Sequence, residues 1–249
     1  MKTVILAAGQ GTRLRPLTDD TPKPLVELSG RPLLDYQLDV LTDAGLEDIT
    51  VVGGYRGEQL DSDRYDVIIN EIYDETNMVY SLLCAAEAFP DTEDLLISYG
   101  DIIYENAVLD SIGATDAPVT VAVDYDWREL WNARFDDPLD DAETLDIDSD
   151  GRIHEIGQEP DSYEEIDAQY MGLIRIRSDL VGELKPLYNE LLAAAEIDAK
   201  NMFMTDFIQH LIDRGFEVVE APIKGGWIEV DSVSDLRLYE ENSKYVTIF

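Results

Sequence analysis

Short apolar runs alternate with amphipathic stretches through the first half of the chain, which predicts an α/β fold with a mostly parallel sheet covered by helices on both faces. A glycine-containing loop follows the first run directly, and in such sheets ligands sit beyond the carboxyl ends of the strands. In the middle, the pattern changes to strict alternation around a glycine turn, predicting a small β-rich insertion. At 249 residues and 45% hydrophobic content the chain can bury a full core as one domain.

The elements follow in order. Strands are expected at Thr3–Leu6, Ile49–Val52, Val67–Ile69, Leu95–Ser98 and Val119–Val123, and helices at Leu33–Ala44, at Met78–Phe89 and, shorter, near Ala107–Ile112. Leu145-Asp146-Ile147-Asp148 and Arg152-Ile153-His154-Glu155-Ile156 alternate about Ser149-Asp150-Gly151, a hairpin pattern. Gln169 to Arg177 reads as another strand. Helices at Asp179–Ala195 and Met202–Arg214, a strand around Glu217–Glu220 and a last helix from Ser232 to about Ser243 close the chain. No linker and no repeat divides it.

Charge is the anomaly. Lys+Arg 18 against Asp+Glu 54 leaves a net −36, yet 13 Tyr, 6 Phe and 3 Trp are those of a folded protein rather than an acidic disordered one. The carboxylates are spread along the chain, which points to a surface adapted to high salt, where self-repulsion is screened. Such a surface excludes nucleic-acid and anionic-membrane partners. A strand begins at Lys2 without a leader-like segment and no run is long enough to cross a membrane, so a cytoplasmic location is expected. The lone Cys84 excludes an intramolecular disulfide and, like His154 and His210, reads as structural.

The most informative stretch is Leu6-Ala7-Ala8-Gly9-Gln10-Gly11-Thr12-Arg13-Leu14, followed by Thr21-Pro22-Lys23-Pro24-Leu25. Glycines let backbone N–H groups approach a phosphate, and Arg13 and Lys23 can neutralise a polyphosphate. The loop lacks the G-x-x-x-x-G-K-[ST] of a Walker A motif, and Leu14 stands where a dinucleotide fingerprint needs its third glycine. Asp146-x-Asp148-x-Asp150-Gly151 matches half of an EF-hand, but Gly157 occupies the place of the bidentate glutamate.

The loop and the P-K-P-L run resemble the signature of the nucleotidyltransferases that activate sugar 1-phosphates and small phosphorylated alcohols, L-A-A-G-x-G-T-R-L-x-P-L-T then P-K-P-L. The resemblance continues through Gly100-Asp101 to Trp227-Ile228-Glu229-Val230-Asp231. It implies a three-layer Rossmann-like fold of the nucleotide-diphospho-sugar transferase type. It also implies a nucleotide-binding half at about 1–125 and an acceptor-binding half at about 126–249. In the reaction a phosphate oxygen attacks the α-phosphorus of a nucleoside triphosphate and pyrophosphate leaves, which demands charge neutralisation and in-line positioning more than a protein nucleophile. Arg13 has the fork for the β- and γ-phosphates, and Lys23 can bridge the α-phosphate and the incoming one. By resemblance Asp101 and Asp231 hold Mg²⁺, which suits one or two carboxylates plus phosphate oxygens. Leu6, Ala7, Ala8, Gly9, Gly11, Thr12 and Gly100 line the nucleotide.

Thr76-Asn77-Met78-Val79-Tyr80-Ser81-Leu82 resembles the T-N-N-x-Y-S-L run of phosphocholine-type cytidylyltransferases, which implies Asn77 and Ser81 near a cytosine. Their alternative roles are helix N-cap and helix interior. Where the sugar branch carries E-K-P, this chain has Gln158-Glu159-Pro160, and Lys224 is the available substitute for the missing lysine. A quaternary ammonium acceptor would want Trp127, Trp131, Tyr170 and Asp167 about it, with Gly172 on the adjacent acceptor-side strand. The expected activity is CTP-dependent cytidylyl transfer to a phosphorylated alcohol such as phosphocholine. Transfer to a sugar or inositol 1-phosphate, and non-catalytic nucleotide sensing, are the alternatives.

Overall fold

The structure, a computed structural model, describes residues 1–194, 198–242 and 244–245. Seven strands form the central sheet: β1 (Lys2–Ala7), β2 (Ile49–Gly53), β3 (Asp66–Ile69), β4 (Leu95–Tyr99), β5 (Val119–Asp124), β6 (Gln169–Ile176) and β7 (Val218–Ile223). Their order is β7-β5-β6-β4-β1-β2-β3. Only β6 runs against its neighbours, β4 and β5. All six residues of β1 are buried, as a strand covered on both faces requires.

Alternate residues of β1 serve two cores. Ile5 faces Leu38, Leu41, Ile112, Trp131 and Tyr239, from helices Leu33–Asp43, Asn106–Ala114, Trp127–Arg134 and Val233–Glu241. Val4 faces Leu82, Leu187, Phe207 and Leu211, from helices Met78–Cys84, Leu184–Ala193 and Met204–Asp213. The result is the expected three-layer α/β sandwich.

Several boundaries differ from expectation for local reasons. The Met78–Phe89 stretch is α-helical only to Cys84 and then tightens into a 3₁₀ turn at Ala86–Ala88. The Asp179–Ala195 stretch divides into Ser178–Val181 and Leu184–Ala193, with Gly182 ending the first piece and Pro186 in the opening turn of the second, where a missing N–H costs little. The expected ends at Ala195 and Ser243 lie outside the described residues. β7 runs through Pro222 because it is an edge strand. The hairpin forms as Leu145–Ile147 and Ile153–Ile156, and Asp148 accepts from the N–H groups of Asp150 and Arg152 across its turn. Helix Trp127–Arg134 and the antiparallel pair of Ile102–Tyr104 with Trp227–Glu229 were not anticipated.

Within β6, Gly172 has φ +84° and lies where the register with β5 shifts. A Cβ there would come 2.7 Å from the ring of Tyr99. Gly172→Ala is therefore expected to lose about 1–3 kcal/mol in equilibrium denaturation at constant salt, with far-UV circular dichroism unchanged.

Candidate active site

The loop after β1 is shaped by contacts at its base. The Ala8 carbonyl accepts from the Tyr55 N–H at 3.0 Å, and Thr18 Oγ1 donates to the Gly11 carbonyl at 2.7 Å. Gly11 adopts φ +60°, and a Cβ on it would lie 3.1 Å from Cβ of Lys23. The loop thus closes over the aliphatic stem of Lys23, which a larger residue would push away. Lys23 itself opens a 3₁₀ turn, Lys23–Leu25, held between Pro22 and Pro24, whose rings restrict φ.

Asp101 follows β4 in a tight turn. The strand after it, Ile102–Tyr104, pairs with Trp227–Glu229, and the Val230 N–H donates to the Asp101 carbonyl at 2.9 Å. This pairing brings Asp231 beside Asp101 across a gap of 130 residues. Asp231 is then oriented from behind. Its N–H and that of Ser232 donate to Asp235 Oδ2 at 3.0 and 2.9 Å, while Ser232 caps helix Val233–Glu241. Arg134, its side chain 1% exposed, lies 2.7 Å from Glu229 Oε2 and 3.2 Å from Asp235 Oδ1.

At the centre, Lys23 Nζ donates to Asp101 Oδ2 at 2.7 Å and to Asp231 Oδ1 at 2.6 Å. The three side chains are only 12–19% exposed. Arg13 pairs with the other oxygen of Asp231. Burial alone would lower the Lys23 pKa, but Asp101, Asp231 and Glu229 outweigh it and hold the ammonium above its usual range. Burial would raise the Asp231 pKa, but Lys23, Arg13 and Arg134 bring it below the usual carboxylate value. Glu229 is pushed up to about 7 by burial, reinforced by Asp101 and Asp231 and opposed by Arg134 and Lys23.

A cavity of about 320 Å³ opens over this cluster. It is lined by Leu6, Ala7, Ala8, Gly9, Gly11, Thr12, Arg13, Lys23, Asn77, Ser81, Gly100, Asp101 and Asp231, so every residue expected at the nucleotide or the ion lies on one wall or another. Asn77 also caps its helix, accepting from the Met78 N–H at 2.8 Å, and Ser81 Oγ accepts from Asn70 Nδ2 at 3.0 Å. Both residues thus serve the helix and line the cavity as well. The Oδ1 of Asp101 is buried and has no hydrogen-bond partner among the described residues. Two hard carboxylates, one with an unused oxygen, fit Mg²⁺, which keeps water and phosphate in its remaining positions. Among the described residues no cluster of three or more His, Cys, Asp or Glu stands ready to enclose an ion by itself.

A second cavity, about 170 Å³, adjoins the first through Met78, Tyr99 and Glu229. Trp131, Tyr170 and Gly172, expected on the acceptor side, line it. Trp127 and Asp167 do not. Trp127 is 2% exposed and packs edge-on against Trp131 at 5.8 Å, with Tyr163 beyond it. Asp167 accepts from the Ile147 N–H at 2.9 Å and serves the hairpin. Both were misplaced because a one-dimensional spacing of aromatics and acids does not distinguish core from cavity wall. Lys224, the available substitute for the missing lysine, lines a third and larger cavity, about 580 Å³, with Glu105 and Lys244, and is in the lining of neither of the other two. Asp141, Glu143, Gln169, Met171, Phe203, Thr205 and Trp227 also line the second cavity and were missed. For Glu229 a signal existed: alternation in Trp227-Ile228-Glu229-Val230-Asp231 puts it on the same face as Asp231.

A family model described as a MobA-like NTP transferase domain matches residues 3–152, the stretch carrying the glycine loop, Lys23 and Asp101. The chain belongs to this family. As a MobA-like NTP transferase it is a nucleotidyltransferase, and its Glu229 and Asp231 come from beyond the matched region. It is similar to a CTP:phosphoglutamine cytidylyltransferase of Campylobacter jejuni, at 38% identity over 97% of this chain and 100% of that protein. It is also similar to a choline-phosphate cytidylyltransferase of Streptococcus pneumoniae, at 45% identity over 91 residues, 35% of this chain and 40% of that one. Among solved structures, the inositol-1-phosphate CTP transferase of T. maritima superposes with a TM-score of 0.75 over 99% of this chain and 94% of that chain, at 23% identity, which confirms the fold.

Lys23→Met would leave two buried carboxylates facing each other without their shared cation. It is expected to destabilise the protein by about 3–5 kcal/mol in a metal-free thermal melt. Added Mg²⁺ should raise the melting temperature of the variant more than that of the parent, since the ion and the ammonium compete for the same oxygens. An equal response of the two proteins would contradict this.

Proposed function

We propose that this protein transfers CMP from CTP to the phosphate of a small phosphorylated metabolite and releases pyrophosphate. The observation that carries the reading is the convergence of Lys23, Asp101 and Asp231 beneath a glycine loop, in one cavity that shares a wall with a second. The preference for cytidine is supported by the similarity over nearly the whole chain to a cytidylyltransferase that uses phosphoglutamine, and over a shorter stretch to one that uses choline phosphate.

In this reading the backbone of Ala7 to Gly11 lies along the triphosphate, and the Arg13 guanidinium grips the β- and γ-phosphates. Asn77 and Ser81 stand at the base end. The Lys23 ammonium lies between the α-phosphate and the acceptor phosphate. It is the one cation available to both, because among the described residues Arg13 and Lys23 are the only Lys or Arg in the lining of the two cavities. It offsets their mutual repulsion and the charge that builds at the α-phosphorus as the acceptor oxygen attacks in line. No general base is needed, since the nucleophile is already an anion. Asp101 and Asp231 would hold Mg²⁺, which when bound supplies charge neutralisation of the phosphates and orients them.

The reading is tested by pyrophosphate release from CTP, UTP, dTTP, ATP and GTP, crossed with phosphoglutamine, phosphocholine, inositol 1-phosphate and glucose 1-phosphate. CTP with a phosphorylated non-sugar acceptor should be fastest. Lys23→Ala should lower kcat by about 10²-fold or more with CTP still bound. A faster reaction of UTP or dTTP with glucose 1-phosphate would overturn the assignment.

We also place the protein in a high-salt cytoplasm. The net charge of −36 supports this, and among the described residues no helix is long and apolar enough to cross a membrane. Activity and melting temperature should both rise as KCl is increased from dilute buffer to molar concentrations, as screening relieves self-repulsion. Full activity and stability in dilute buffer would argue against it.

A further inference from the structure

The lining of the cavity over the Lys23 cluster divides by charge. Arg13, Lys23, Asp101, Glu229 and Asp231 carry all of its formal charges, while the stretch from Tyr73 to Ser81 contributes only neutral side chains. A triphosphate and its ion belong with the first group, and a neutral base with the second. Within that neutral wall the direction of hydrogen bonding is set from behind. Asn70 follows β3, is 1% exposed and does not itself line the cavity. Its backbone N–H donates to the Gly53 carbonyl at 2.8 Å, which fixes it to the end of β2.

The neighbours of the Asn70 amide leave it one orientation. Its Oδ1 accepts from the Ile72 N–H at 3.1 Å, and a backbone N–H can only donate. Its Nδ2 therefore supplies both hydrogens, one to Thr76 Oγ1 at 2.9 Å and one to Ser81 Oγ at 3.0 Å. Each hydroxyl already has its own proton committed to a backbone carbonyl, Thr76 to that of Ile72 at 2.9 Å and Ser81 to that of Asn77 at 3.3 Å. A hydroxyl has one hydrogen and two lone pairs. With the hydrogen and one lone pair in use, each of these two cavity-lining groups has a single lone pair left. Asn77, beside them, accepts from the Met78 N–H and donates to the Asn201 carbonyl at 3.3 Å.

We propose that Asn70 is a positioning residue for base selection: it holds the Thr76 and Ser81 hydroxyls as acceptors toward the cavity, so that this wall takes a pyrimidine with an exocyclic amino group. The proposal rests on the transferase reading above and gives its cytidine preference a physical cause. The amino group of cytosine has two hydrogens for the two acceptors. Uracil has a carbonyl oxygen at that place, which sets lone pair against lone pair. To donate to that oxygen, either hydroxyl must abandon its backbone carbonyl while Asn70 still holds its oxygen. Without the Asn70 amide the hydroxyls are free to turn, and the discrimination falls.

The experiment compares CTP, UTP and the triphosphate of 2-pyrimidinone riboside, which has hydrogen in place of the amino group, in Mg²⁺ at high salt. Steady-state kinetics use the fastest acceptor of the panel above, and calorimetry gives the Kd of each nucleotide without acceptor. For the parent, kcat/KM with CTP should exceed that with the 2-pyrimidinone nucleotide by about tenfold or more, and that with UTP by a wider margin. Asn70→Ala should shrink the CTP-to-UTP ratio by about tenfold, through KM and Kd, with kcat for CTP little changed. A merely structural role would instead lower kcat with both nucleotides and leave the ratio alone. Should Asn70→Ala melt below the assay temperature, Asn70→Ser replaces it, since one hydroxyl cannot donate to two. Thr76→Val combined with Ser81→Ala should shrink the ratio as far, and adding Asn70→Ala to that pair should shrink it no further. A ratio unchanged by the Asn70 variant or by the hydroxyl pair, or a further fall in the combined variant, would overturn the role of Asn70. So would equal use of CTP and the 2-pyrimidinone nucleotide by the parent. A parent that prefers UTP, or that releases no pyrophosphate with any acceptor, would overturn the transferase reading itself.

Discussion

The Lys23 ammonium, 2.7 Å from Asp101 and 2.6 Å from Asp231, is the contact on which the site depends. Each of its partners comes from a different part of the chain. Lys23 comes from a turn stiffened by two prolines, Asp101 from the turn after a central strand, and Asp231 from just beyond a short strand paired back onto the residues after Asp101. Like charges in a half-buried place cannot stand together unless a cation compensates them. That requirement couples the glycine loop, which packs on the lysine stem through Gly11, to the distant end of the chain. Arg134 does the same work one layer back, holding Glu229 and Asp235 and so the backbone on which Asp231 sits.

This arrangement is notable in a chain with three times as many carboxylates as cations. Most of the acidic residues are solvated and individually weak in their effects. Among the described residues, two cations, Arg13 and Lys23, line the cavity over the Lys23 cluster, and no lysine or arginine lines the adjoining one. Burial pushes Glu143 up to about 7, opposed by the hydrogen bond from Thr205 and helped by the neighbouring Asp206 and Asp141.

Much of this was legible in one dimension. The strand–helix alternation, the glycine loop at the carboxyl end of the first strand, and the Arg13, Lys23, Asp101 and Asp231 set were all read from local pattern and from resemblance. These features are local because phosphate binding by backbone N–H groups and a nearby cation needs only a short contiguous segment. The second cavity was read less well. Trp131, Tyr170 and Gly172 were placed, but Trp127 went to the core and Asp167 to the hairpin, while Asp141, Glu143, Phe203 and Thr205 gave no signal. The lining of that cavity is gathered from a loop, a bulged strand and the start of a helix. None of these has a period, and among 54 acidic residues no single one stands out.

The amino-acid order by itself determined the layers, the nucleotide loop and the identity of the charged groups, because hydrophobic periodicity and glycine and proline chemistry act over a few residues. Only the tertiary structure could determine which carboxylates meet. The pairing of Ile102–Tyr104 with Trp227–Glu229 joins segments more than a hundred residues apart through three-residue strands too short to carry a pattern. The lining of the second cavity likewise exists only after folding, when Asp141 and Glu143 are drawn together and partly out of water.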